Sequence, residues 1–178
     1  MTADRPDLVV RVFNLFKDAL LDDIAKKNVF GGVLSRVHSI EFQKQGLPHT
    51  HLLLSLFPRH KPSTPGDVES IICASWPNPE QEPVLFDLVK CHMVHGPCGT
   101  TFLHSPCMRD GKCSKRYPKP FQPHTLMTMD GYPTYAWPND GRAYDVAGFP
   151  TDNQWIMPYN PYLLMRYAFS LSFPLFSR

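Results

Sequence analysis

The sequence predicts an α+β fold: a mostly antiparallel sheet that carries a metal-binding hairpin, helices over one face, and a loop-rich insert stapled by zinc. Three observations carry that expectation. The first two dozen residues repeat apolar side chains at helical spacing. Two strand-like runs then flank a turn punctuated by Gly46 and Pro48. Four of the five cysteines fall between Cys91 and Cys113, among glycines and prolines that cannot build a core.

The opening helix follows from Leu8, Val9, Val12, Phe13, Phe16, Leu20, Leu21 and Ile24, which form one broad apolar face. Asp4 can cap it, and Pro6 occupies the turn that tolerates proline. The helix should stop near Asn28, before Gly31-Gly32. A strand is expected over Val33 to Phe42, a turn over Gln43 to Pro48, and a second strand over His49 to Phe57. The stretch RHKPSTPGD reads as a surface loop, and Thr64-Pro65-Gly66-Asp67 starts a short helix through Val68, Ile71 and Ile72. After the acidic linker PNPEQEP, another helix is expected from Val84 to Met93. The remainder from Gln122 is aromatic and rich in proline, with weak periodicity.

Composition bounds the class. With 178 residues, 43% hydrophobic and 19% charged, the chain can bury a core and is not of the disordered type. A net charge of +2 does not by itself announce a polyanionic partner. No stretch is long and apolar enough to read as a transmembrane helix, so no membrane partner is expected. MTADRPDLVV lacks the basic start and apolar run of a secretory signal. The expected compartment is therefore reducing, where clustered cysteines bind metal more often than they pair.

The hairpin bears the first candidate site. Residues two apart on a strand share a face, so His49 and His51 point the same way. Folding about the turn, with Glu41 placed opposite His51 and Ser39 opposite Leu53, puts Glu41 on that face too. Cross-strand β-carbons lie about 5 Å apart, close enough for two imidazoles and a carboxylate to share one ion. That donor set suits Mn²⁺ or Mg²⁺, or Zn²⁺, and leaves positions open for Lewis-acid chemistry on a phosphodiester. By parity His38 lies on the opposite face, and Thr50 faces the core.

The second candidate is a structural Zn²⁺ site of His95, Cys98, Cys107 and Cys113, opened by a His-x2-Cys step. Cys91, His92 and His104 compete for places in it. Cys73 stands apart as a small hydrophobe. Arg109, Lys112, Lys115, Arg116 and Lys119 run through the same segment against one acid, Asp110. With Tyr117 and Phe121 among them, they suit phosphate contact and base stacking. The chain accordingly divides into 1–94, the core with the hairpin, 95–121, the zinc-binding basic insert, and 122–178, an incomplete continuation of the core.

The run VFGGVLSRVHSIEFQKQGLPHTHLLLSL resembles the N-terminal helicase-like domain of Helitron rolling-circle transposases, a branch of the His-hydrophobic-His (HUH) endonucleases. The resemblance continues through HMVHGPCG, PCMRDGKCSKRYPKPF, DGYPTYAWPNDGR and MPYNPYLLMRY. It implies a divalent metal held by His49 and His51 with Glu41 as third ligand, and single-stranded DNA as partner. It further implies attack by a tyrosine to leave a 5′-phosphotyrosine, strand rejoining by reversal, and action in the nucleus. The family places its tyrosines in a helix after the PYNPYLL segment, paired with lysine. Here no lysine follows Lys119, and Tyr162 and Tyr167 stand in a segment that reads as packing. The sequence therefore predicts a nicking and joining module without its nucleophile or its helicase domain. The alternative is a non-catalytic single-stranded DNA-binding or zinc-stabilised interaction fragment.

Overall fold

The computed structural model describes residues 5–42, 47–100, 102–129 and 132–168. The chain forms two compact units, Met1–Lys61 and Pro62–Arg178. That boundary falls inside the first of the three segments drawn from the sequence.

In the first unit, α1 spans Pro6–Lys26. Pro6 sits in the first turn, as expected. Asp4, the expected cap, lies outside the described residues; Arg5 holds the N-cap position without a side-chain cap and pairs instead with Asp7 at 2.8 Å. The face carrying Leu20, Leu21 and Ile24 is buried. The chain leaves the helix through Asn28 at φ 53° and Gly31 at φ 87°. A side chain has no room at that exit. A β-carbon on Gly31 would meet His60 at 2.7 Å, and one on Gly32 would meet His60 and Phe57 at 2.9 Å. The Gly32 N–H donates to Nδ1 of His60 at 2.8 Å, which closes the far end of the hairpin.

The hairpin itself is β1, Val33–Phe42, against β2, Pro48–Leu56. Gln43 to Gly46 of the expected turn lie outside the described residues. The register differs from the expected one by two residues. Glu41 lies opposite His49 and Ser39 opposite His51, because pairing runs on to Phe42 and Pro48 and leaves a shorter loop. A slip of two preserves which face each side chain takes, so the three candidate ligands still share one face. Along β2 the other face, with Thr50, Leu52 and Leu54, is half-buried. The Arg36 guanidinium donates to the Leu21 carbonyl at 2.9 Å, tying β1 to α1.

The second unit holds α2 (Pro65–Ile71), α3 (Pro83–His92) and α4 (Pro161–Tyr167). Its strands are short antiparallel pairs: β3 (Met108–Arg109) with β4 (Lys112–Cys113), β5 (Leu126–Met127) with β6 (Pro133–Thr134), and β7 (Tyr144–Val146) with β8 (Phe149–Thr151). The fold class is mixed α+β, but among the described residues the single mostly antiparallel sheet expected from the sequence is replaced by four separate two-stranded ones. Proline is the physical reason. Pro133 and Pro150 lie within strands, and Pro118, Pro120, Pro123 and Pro138 between them; each removes a ladder donor.

The core of this unit joins α3 to α4. Trp76, Leu85, Val89, Met93, Ile156, Tyr159 and Leu164 form one buried cluster. Its polar edges are satisfied: the Trp76 indole donates to the Thr151 carbonyl at 3.0 Å and the Tyr159 hydroxyl to that of Ser75 at 3.0 Å. Asn160 caps α4 by accepting the Leu163 N–H at 2.8 Å. Cys73 is half-buried, its sulfur 3.2 Å from the Ser75 hydroxyl. No helix among the described residues is long and apolar enough to cross a membrane.

Candidate metal centres

Met93 ends α3, and the chain then runs beside the 3-10 turn at Asn153–Trp155. The His95 N–H donates to the Trp155 carbonyl and that of Met157 to Met93, both at 2.8 Å. This fixes His95 at the edge of the core. The segment then folds back on itself: Ser105 donates to the Pro97 carbonyl at 2.6 Å, and the Gly99 N–H meets the Met108 sulfur at 3.3 Å. The β3–β4 hairpin returns Cys113 beside Cys107, whose carbonyl accepts the Ser114 N–H at 2.8 Å.

The result is a converged tetrad. The ligand atoms of His95, Cys98, Cys107 and Cys113 all lie within 4.8 Å of one another. Nε2 of His95 is 3.6 Å from the Cys98 sulfur and 3.5 Å from that of Cys113. A tetrahedral zinc with bonds of about 2.0 Å to nitrogen and 2.3 Å to sulfur separates those atoms by about 3.5 Å. The spacing is therefore that of ligands around one ion, and the Cys3His set can hold a metal such as zinc. Cys91, His92 and His104, the competitors in the sequence, are outside the tetrad.

The electrostatics suit the same chemistry. Burial, with Lys119 and Lys115 nearby, lowers the His95 pKa and favours the neutral imidazole that ligates metal. Burial and the neighbouring thiols of Cys113 and Cys107 push Cys98 up to about 12. Burial also acts against the Cys113 thiolate, but the N–H groups of Tyr117 and Lys115 outweigh it and bring its pKa down. An anionic sulfur with backbone donors is the usual state of a structural ligand.

A set of ring and cation contacts around the tetrad was not legible in the sequence. The His95 ring stacks on Tyr117 at 4.1 Å with planes 12° apart, and lies parallel to Trp155 at 6.4 Å. Lys119 places its ammonium 4.7 Å over Tyr117 and 5.8 Å from the Trp137 ring, and donates to the Lys115 carbonyl at 2.8 Å. Trp155 lies 60 residues beyond His95 in the sequence, with no local signal, and only the fold brings the two together. Of the five basic residues singled out, Arg109, Lys112, Lys115 and Arg116 are exposed, whereas Lys119 is folded into this stack.

The hairpin trio is arranged differently. Nε2 of His51 lies 3.4 Å from the Glu41 carboxylate, a diagonal contact across the strands. The His49 and His51 rings are 4.7 Å apart between centroids, at 72°. The Glu41–His51 spacing is that of an imidazole–carboxylate contact. His49 stands beside the pair, and the three are neighbours rather than a converged group like the tetrad. The side chains of His51 and Glu41 are 61% and 65% exposed, which leaves the face open to solvent. Thr50, between the histidines, is half-buried and donates to the Ser39 carbonyl at 3.0 Å, which steadies the strand pair beneath the site. Tyr162 is exposed on α4, and Tyr167 is buried.

No curated protein matches the chain. The segments after Leu54 that resemble the Helitron domain lie outside the family match. Residues 1–54, which include α1, β1 and the part of β2 bearing His49 and His51, match the family model of the Helitron helicase-like domain at N-terminus, the transposon-associated family that the sequence resembles.

Proposed function

We propose that the chain is the metal-holding part of a module that nicks and joins single-stranded DNA in a rolling-circle transposon. The observation that carries this reading is the placement of Glu41, His49 and His51 on one open hairpin face inside the matched segment, with Glu41 and His51 already at 3.4 Å. A divalent ion such as Mn²⁺ or Mg²⁺ bound there would supply charge stabilisation at a scissile phosphate. The chain's own residues do the rest of the holding. Glu41 offers a carboxylate oxygen and His49 and His51 offer ring nitrogens, and alternation along β2 turns both imidazoles to the exposed face. The Cys3His tetrad, loaded with zinc, has a structural role, because four protein ligands leave no open position for substrate. Work on chromosomal DNA would place the protein in the nucleus.

A second reading is favoured by one observation. After Lys119 the sequence offers no lysine to pair with a tyrosine. On that reading the chain binds metal and strand without cutting. Zinc-loaded protein with labelled single-stranded DNA separates the two. Mn²⁺ should tighten binding, the His49→Ala/His51→Ala double variant should lose that effect, and no covalent adduct should form on this chain. A tyrosine-linked adduct would show that the chain completes the chemistry itself. Binding indifferent to Mn²⁺ in wild type would refute the metal-holding role.

A further inference from the structure

The β3–β4 hairpin has two ends of different character. At its base, Met108 is buried opposite Cys113, and Cys107 precedes the first strand. Both strands are thus fastened to the tetrad, one directly through Cys113 and the other through Cys107. At its tip, Arg109 lies directly opposite Lys112. The two residues between them, Asp110 and Gly111, have φ of 49° and 75°, the positive values a tight two-residue hairpin turn requires. Like charges directly opposite on paired strands are destabilising, so this pair is an unfavourable choice for a hairpin with only structural duties.

The side chains do not relieve the conflict within the protein. Arg109 donates to the Met108 carbonyl at 2.9 Å and that of Pro106 at 3.4 Å, both through one terminal nitrogen. A guanidinium carries five N–H donors in a fixed fork, so its other donors remain for a ligand. Those two bonds also hold the group near the tip. Among the described residues, Asp110 makes no ion pair with Arg109 or Lys112. Lys115 and Arg116 follow on the exposed side, giving four cations against one carboxylate between Arg109 and Arg116.

We propose that Arg109 and Lys112 form a phosphate-gripping tip for a single-stranded nucleic-acid backbone, held in place by the metal centre at the hairpin's base. The partner's identity rests on the reading of the chain as one that handles single-stranded DNA. The chemistry agrees with it: a guanidinium fork beside an ammonium matches the oxygens of a phosphodiester. Phe102 and Phe121, exposed within the same segment, offer ring faces on which bases can stack. Metal binding and strand binding are thereby coupled, since loss of the tetrad frees both strands at the hairpin's base.

The test is fluorescence anisotropy of a labelled oligothymidylate with the zinc-loaded full chain over a series of KCl concentrations. Each phosphate neutralised on a single strand contributes about 0.7 to the slope of log K against log salt. The Arg109→Ala/Lys112→Ala variant should weaken binding about tenfold near 0.1 M salt and lower the slope by about 1.4. It should keep its zinc, and Lys90→Ala, on α3, should change neither quantity. A slope unchanged in the double variant, or lowered equally by Lys90→Ala, overturns the proposal. So does displacement of the oligonucleotide by polyglutamate as readily as by unlabelled strand, which would mark a surface for acidic peptides. His49→Ala/His51→Ala should retain the wild-type slope in the absence of Mn²⁺. Failure of the metal-holding function and failure of the hairpin tip are thus read separately.

Discussion

Cys98, Cys107, Cys113 and His95 were legible as ligands because cysteine and histidine crowded among glycine and proline have few other uses. What the sequence left open was which of seven candidates take part. Geometry decides it: Cys91 is exposed on α3, whereas Cys98 is buried against the chain that follows it. The Tyr117 and Trp155 rings beside His95 had no local signal, because a stacking partner needs no particular spacing. The assignment makes a direct prediction. Native mass spectrometry should find one zinc per chain in wild type and in Cys91→Ser, and Cys107→Ser should lose it. Zinc retained by Cys107→Ser, or lost from Cys91→Ser, would reassign the ligands.

At the scale of elements, periodicity located α1 and α3 to within a few residues; α3 buries Leu85 and Val89, whereas α1 buries its expected stripe only at Leu20, Leu21 and Ile24 and leaves Leu8, Val12 and Phe16 exposed. The hairpin strands were equally legible, and so was the face shared by Glu41, His49 and His51. Their register was not. Parity is set by alternation along the strand, but register is set by loop length, which the turn residues Gln43 to Pro48 leave ambiguous. Helix α2 illustrates a signal that is wholly local. Thr64 accepts the Asp67 N–H at 3.2 Å, while the Asp67 carboxylate accepts those of Ser63 and Thr64 at 2.9 and 2.8 Å. The N–H groups of Ser63 and Thr64, and the Thr64 hydroxyl, hold the Asp67 carboxyl below its ordinary value of 3.8. A lowered folded pKa means that the cap stabilises fully above 3.8 and is lost as pH falls through the lowered value. In an NMR titration the Asp67 carboxyl should therefore show a midpoint below 3.8. The first turn of α2 should gain amide exchange only beneath it. A midpoint at or above 3.8 would contradict the capping geometry.

For the whole molecule, the α+β class followed from helices that declare themselves and strands that alternate. The three small sheets of the second unit did not, because strands of two or three residues have no periodicity to read. Contacts across long stretches of sequence define the second unit instead, such as Glu69 accepting the Thr125 N–H at 2.7 Å and Asn153 accepting that of Trp76 at 2.7 Å. Two candidate sites of opposite design lie along the chain, the tetrad in the second unit and the hairpin trio in the first. The tetrad is soft, converged and built to staple; the hairpin trio is hard, exposed and only partly gathered. The proposed function requires that the trio take a divalent ion. Manganese EPR of the zinc-loaded chain measures it, through loss of the free-ion spectrum on titration. The prediction is one bound Mn²⁺ per wild-type chain and none for His49→Ala/His51→Ala. Equal uptake by the two proteins, or none by either, would contradict it.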